Sequence, residues 1–290
     1  MICDSHCHLV CADQQAYPPK PLSGQLAPGE FDQPNSKERF LALMDANGVV
    51  MACAVQRAHI YGYDNSYILD CAAAVPDRLR AVVVLNAAAP ETPQELVHLV
   101  RNRGAAGVRF VSPGFPKTSL DWLTSDQAAR SFGTAADLGI PICIHVLHVQ
   151  RDEVLPQVKR LADAFRDAAF VVDHVGGAHP AVIEQKWLSS QGLPIGAEFT
   201  EASLALADCP NVTMKLSTIN LESSGNSKAF VAQVVARFGA ARIIWGSDIG
   251  QSRGDYRHMV AQLSDAVSWL ALPERDAILH GNAFAIYGPK

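Results

Sequence analysis

Eight short, nearly continuous apolar stretches, each followed by a segment of helical character, constrain this 290-residue chain more than any other feature. They fall at 2–9, 49–56, 79–86, 105–111, 140–146, 169–175, 211–218 and 241–248. Strands that read as unbroken apolar runs are covered on both faces, which is the condition of strands in a parallel sheet. Between them lie helix signals: Ser36 as a start, Asn47-Gly48, Gly104 and Gly139 as stops, and helices expected at 93–103, 125–138, 150–166, 227–238 and 256–270. Eight such units in a chain of this size match a (β/α)8 TIM barrel, read here as a single domain over 1–290. The competing open, doubly wound sheet would need a glycine-rich phosphate turn after the first strand, and none is present.

Composition removes several function classes. A net charge of −5, with no long run of one sign, gives no basic footprint for nucleic acid. Seven cysteines without a CxxC pair read as reduced thiols rather than a disulfide framework. The start Met-Ile-Cys-Asp lacks the features of a secretory leader, and no apolar run approaches a membrane span. The expectation is a cytoplasmic protein with a small-molecule substrate, no nucleic acid and no membrane partner, and with a homo-oligomer left open.

In a barrel of this kind the chemistry sits at the C-terminal ends of the strands. Alternation of side chains along each strand then sorts inward from outward residues. In the first strand it puts Asp4, His6 and His8 on one face and Cys3, Ser5 and Cys7 on the other. It sends Arg109, His145, His174, Lys215 and Asp248 inward from the fourth to the eighth strands, and assigns Asp173 to the outer face. Two imidazoles at alternate positions of one strand can reach a single cation. The stretch 10–34, with five prolines and two glycines, is too long for a plain connector and is expected to cover the pocket as a lid. His59, in the polar and aromatic loop 57–64, is a candidate substrate contact. His98, His148, His179, His258 and His280 fall on helices or turns and read as structural or solvated, and Cys143 as packed inside the barrel. No Gly-x-Ser-x-Gly elbow is present.

The motifs Asp-Ser-His-Cys-His, Ile-Cys-Ile-His-Val, Asp-His-Val-Gly-Gly and Trp-Gly-Ser-Asp occur in the order found in the amidohydrolase superfamily. The sequence most resembles its amidohydrolase-2 branch, with the pyrone-dicarboxylate and related lactone hydrolases and the aminocarboxymuconate-semialdehyde-type decarboxylases. The resemblance runs from Ile2 to His280-Gly281-Asn282-Ala283, and Gly62-Tyr63-Asp64-Asn65 is closer to the lactone hydrolases. Two features bear on how far it carries. The proline usual two residues after the strand-eight aspartate is replaced by Gly250, and His145 is kept where some lactone hydrolases of the branch lack it and work without metal.

The ligand set expected from these residues is His6, His8, His145 and Asp248 around one divalent ion, zinc ahead of manganese. Three imidazoles and a carboxylate leave a position open for water or substrate. Binuclear members of the superfamily use a bridging side chain, commonly a strand-four lysine; Arg109 stands there and cannot bridge two cations. The resemblance implies a catalytic role for His174. The expected reaction is hydrolysis of a lactone, or an amide, on a small carboxylated substrate, with Asp248 taking the proton. Arg109, Lys215 and Arg57 are expected to hold the substrate carboxylate. Nonoxidative decarboxylation on the same site is the alternative, and a non-catalytic barrel a third.

Overall fold

The computed structural model describes residues 1–112, 119–177, 200–252 and 254–289, with no account of the His148 side chain. His179 therefore lies outside the described residues. Eight parallel strands form one sheet in sequence order: β1 (Ile2–Cys7), β2 (Val49–Val55), β3 (Leu79–Leu85), β4 (Gly107–Phe110), β5 (Ile142–Ile144), β6 (Phe170–Val172), β7 (Val212–Ser217) and β8 (Ile243–Gly246). Every adjacent pair is parallel. The sheet is closed from β8 to β1 by Asp248 N–H donating to His6 C=O at 2.7 Å and His8 N–H donating to Ile249 C=O at 2.8 Å. The fold is the expected (β/α)8 barrel.

The strands bury both faces, which is why they read as unbroken apolar runs. Cys3, Met51, Cys53, Val55, Val82, Cys143, Val171 and Ile244 pack together inside the barrel, and Ala283 and Tyr287 join this cluster. The alternate residues, among them Val108, Phe110, Ile142, Ile144, Phe170, Val172, Met214, Leu216 and Trp245, face the helices in a second, larger core. Ser36 caps the helix Lys37–Ala46, and Ser125 caps Asp126–Asp137. Gly104 ends Thr92–Arg103 in the left-handed conformation that its missing Cβ permits.

Alternation fails at two places, and both matter to the site. In β1 the register with β2 shifts between Asp4 and Cys7, so the face changes within the strand. Cys3 and the His6 and His8 rings point inward, while Asp4 does not share their face as expected. Asp4 instead accepts from Ser247 N–H at 2.9 Å, Ser247 Oγ at 2.6 Å, Tyr256 Oη at 3.0 Å and its neighbour His6 N–H at 3.0 Å. Burial pushes this carboxyl up to about 6, and those donors oppose the push. The second failure is β6, which ends at Val172 and turns through a 3-10 segment, Asp173–Val175.

The stretch 10–34 forms no helix or strand. Its ends are joined by Val10 N–H donating to Asn35 C=O at 3.0 Å. It lies along the short helix Ala58–Tyr61 that follows β2, where the sequence reading expected a loop, with Lys20 N–H on Ile60 C=O at 2.7 Å. Gly62, at φ 58°, makes room for it: a Cβ there would fall 2.4 Å from the Lys20 carbonyl oxygen. No helix among the described residues is long and apolar enough to cross a membrane.

Candidate metal centre

Three side chains converge at the C-terminal mouth of the barrel. His6 Nε2 and His8 Nε2 are 3.2 Å apart, and Asp248 Oδ1 lies 3.6 Å from the first and 3.4 Å from the second. All three residues are buried. A tetrahedral zinc with Zn–N bonds of about 2.0–2.1 Å places its donors roughly 3.3–3.4 Å from one another. The trio has that spacing.

The protonation pattern makes the same point. His8 Nδ1 lies 2.8 Å from the Val55 carbonyl oxygen, which can only accept, so Nδ1 carries the proton. Burial holds the His8 imidazole below its ordinary value, and it is neutral at neutral pH. Its Nε2 therefore directs a lone pair at a carboxylate oxygen 3.4 Å away. Acceptor against acceptor in a buried site is unfavourable, and a cation between them resolves it. A proton shared by the two Nε2 atoms would leave this opposition in place.

Asp248 reaches the site because of the residues around it. Gly246 lies against β1, where a Cβ would be 2.3 Å from His6 Cβ. Asp248 itself has φ 59°, a left-handed conformation that aspartate tolerates better than most residues. Its Oδ2 accepts from Ser252 Oγ at 2.7 Å, and Ser252 N–H returns to the Asp248 carbonyl at 2.7 Å. Burial alone would raise its carboxyl; His8, His174 and His6 outweigh that when they are protonated and hold it below the usual range. Gly250, in place of the family's proline, has φ 90° and would set a Cβ 2.3 Å from the His8 carbonyl oxygen. A proline ring cannot take that φ.

Beneath the trio lies a buried ion cluster centred on Asp173. Lys215 Nζ is 2.9 Å from Asp173 Oδ1, and Arg109 Nε donates to Oδ2 at 2.7 Å. Cys143 Sγ donates to Oδ1 at 3.0 Å, and His6 Nδ1 lies 3.5 Å from the same oxygen. Burial pushes the carboxyl up, but Lys215 and Arg109 hold it well below the usual carboxylate range. This corrects the outward assignment of Asp173. Val171 points into the barrel, and Asp173, two residues on, follows it. Lys215, expected on a substrate carboxylate, is fully buried and engaged by Asp173, with His6 Nδ1 at 3.3 Å. Arg57 is likewise engaged, pairing with Glu30 Oε2 at 2.7 Å and donating to the Gly250 carbonyl.

His174 reaches the site by a left-handed backbone, φ 52°, rather than by strand parity. Its ring is 5.4 Å from His6 and 5.8 Å from His145, centroid to centroid. His145 does not join the His6–His8–Asp248 trio, since its nitrogens do not come within 4.8 Å of all three. Burial and Arg109 hold its imidazole well below the ordinary value. His59 is exposed, 3.5 Å from Gln251 Oε1.

A family model described as amidohydrolase matches residues 3–288. The chain belongs to the amidohydrolase-2 family. No curated protein matches it. Among solved structures, this amidohydrolase is similar to a zinc-bound amidohydrolase from Burkholderia multivorans, with TM-score 0.74, 18% identity and 100% of both chains covered. It is similar to a probable 2-pyrone-4,6-dicarboxylic acid hydrolase from Acinetobacter baumannii, with TM-score 0.74, 19% identity and 99% of both chains covered. It is also similar to a 5-carboxyvanillate decarboxylase from Sphingomonas paucimobilis, with TM-score 0.67, 16% identity, and 100% of this chain and 99% of the other covered. At these identities the likeness speaks to the fold.

Sequence reasoning missed Glu30, Asp173, Ser217, Asn220 and Ser252 as parts of the site. Ser217 and Asn220 carried a signal. They are the N-cap and third residue of the helix Thr218–Ser223, where they form a capping box.

Proposed function

We propose that this amidohydrolase is a mononuclear metal-dependent hydrolase that opens a lactone on a small carboxylated substrate. The observation that carries this is the His6–His8–Asp248 trio, with spacings of 3.2, 3.4 and 3.6 Å and the unprotonated His8 Nε2 facing the Asp248 carboxylate. One divalent cation held there, zinc by its donor set, would polarise the carbonyl and lower the pKa of a water. Asp248, ionised at working pH, accepts the proton of the attacking water, which then passes to the ring oxygen as the acyl–oxygen bond breaks. His174, beside His6, accepts the other hydrogen of that water and so aims its oxygen at the carbonyl carbon.

Charge supports an anionic substrate. Arg109 and Lys215 oppose the single carboxylate of Asp173, so the cluster has a net positive charge below the site. In this reading Arg109 draws the substrate carboxylate, whereas Lys215 acts through Asp173. The loop 10–34, pinned by Glu30 to Arg57 and through it to Gly250, serves as the lid that excludes water.

A decarboxylase is the second reading, and the likeness to the 5-carboxyvanillate decarboxylase supports it. Both reactions suit a carboxylated substrate and one cation. The test is to offer zinc-loaded protein a panel of carboxylated lactones and of carboxylated phenols, following ring opening and carbon dioxide release together. Ring opening without carbon dioxide, lost on chelation and restored by zinc, is the expected result. Carbon dioxide from a phenolic acid would replace the hydrolase reading with the decarboxylase one.

A further inference from the structure

His174 stands in a backbone segment that few sequences tolerate. Four successive residues have positive φ: His174 at 52°, Val175 at 53°, Gly176 at 83° and Gly177 at 107°. A β-branched valine in that region is a genuine outlier, and such strain persists only where the surroundings impose it. Here Asn220 imposes it in part, because its Nδ2 donates to the His174 carbonyl oxygen at 3.0 Å.

The same asparagine fixes the chemistry of the ring. Its amide orientation is settled at both ends: Nδ2 faces a carbonyl, which only accepts, and Oδ1 faces the Ser217 backbone N–H at 3.1 Å, which only donates. With Oδ1 identified as the acceptor, the Ser217 hydroxyl 2.8 Å away must donate its one hydrogen to it. That leaves Ser217 Oγ only lone pairs for His174 Nδ1, 2.8 Å on its other side. Nδ1 therefore carries the proton, as only a neutral imidazole with that tautomer leaves the other nitrogen an acceptor. Nε2, across the ring from β7, is left with its lone pair. Ser217 and Asn220 are 0% and 2% exposed, so water does not compete for these bonds.

We propose that Ser217 and Asn220 are positioning residues that lock His174 in the Nδ1–H tautomer, so that Nε2 meets the substrate site as an acceptor and not as a donor. What that lone pair does rests on the hydrolase reading above; the tautomer itself does not. The order of information is a chain: Ser217 N–H and the His174 carbonyl orient the amide, the amide orients the hydroxyl, and the hydroxyl chooses the histidine nitrogen. Tautomers left to solution would be divided between the two nitrogens, and only one of them can accept from the attacking water.

The test is ring-nitrogen NMR of histidine-labelled, zinc-loaded protein at neutral pH, with His174→Gln used to assign the signal. The expected wild-type spectrum shows a neutral His174 with its proton on Nδ1. Ser217→Ala and Asn220→Ala should broaden or divide that signal between tautomers. They should lower kcat by about tenfold to a hundredfold, the usual loss when an outer partner of a site histidine is removed, with KM little changed. Ser217→Thr, which keeps the hydroxyl, should retain both the single tautomer and the turnover. A wild-type proton on Nε2, or an unaltered tautomer in Ser217→Ala, overturns the proposal. If the variants do not fold, the wild-type spectrum alone decides it. Absence of lactone turnover with an Nδ1–H spectrum would remove the hydrolase reading and leave this one standing.

Discussion

Lys215 and Arg109 grip the same carboxylate from opposite oxygens, Lys215 Nζ at 2.9 Å from Asp173 Oδ1 and Arg109 Nε at 2.7 Å from Oδ2, with both carboxylate and ammonium fully buried. The centre of the barrel is thus held by charge, directly below the rings that line its mouth.

Removing one member of such a buried set leaves a charge without its partner. Lys215→Met should lower stability by roughly 3–5 kcal/mol in urea unfolding, the range for breaking a buried ion pair. The exposed pair Lys228–Asp265, at 2.8 Å, supplies the contrast, and Lys228→Ala should change stability by at most about 1 kcal/mol. Equal losses in the two variants would show that the Asp173 cluster does not stabilise the barrel as described.

Gly246 sets the approach of β8 to β1. In Gly246→Ala the new methyl would meet His6 Cβ at 2.3 Å and His6 N at 2.8 Å, so β1 or the His6 ring must move. The far-ultraviolet spectrum should be kept, while zinc affinity falls by about tenfold or more, as it does when the support of a ligand is lost. Competition with a zinc-binding dye measures this, and wild-type affinity in the variant would contradict the packing argument.

Asp248 is the one carboxylate in the trio. Asp248→Asn keeps the shape and one liganding oxygen, with its amide nitrogen turned to Ser252 Oγ as a donor, but removes the charge and the basicity. Turnover should fall by ~100-fold or more, the lower range for losing a general base, in protein that still holds some metal. Near-normal kcat at full metal content would move the proton to His174.

Acid should destabilise the metal-free protein at a pH set by its histidines. His6, His8, His145 and His174 are all held below their ordinary value of 6.5, with burial the largest cause in each. Below about 6.5 the unfolded chain binds protons at these positions that the folded chain does not, so stability falls as pH falls. Asp4, raised to about 6, works the other way, because the folded state takes up its proton first between about 6 and 3.8. Four groups oppose one, and the net slope favours neutral pH. The urea midpoint of chelator-treated protein should drop between neutral pH and pH about 5. An unchanged or higher midpoint at the lower pH would show that these imidazoles take up protons in the folded barrel.

The sequence by itself determined the barrel and the end at which its chemistry sits, because a parallel strand buried on both faces must be apolar throughout and a strand alternates its faces by geometry. That was enough to turn His6, His8, Arg109, Lys215 and Asp248 into the barrel and to send Trp245, Met214 and Leu216 outward. Alternation holds only while the backbone stays in register, and the tertiary structure decided where it does not. The register shift in β1 turned Asp4 away from His6 toward Tyr256. The left-handed turn after Val172 allowed Asp173 and His174, adjacent in sequence, to point into the same site. Which cation meets which carboxylate also waited on the fold: Lys215 and Arg109 were legible as inward charges, but only the position of Asp173 between them shows what holds them. Pairing inside a barrel joins residues far apart in the chain, and local sequence carries no record of those distances.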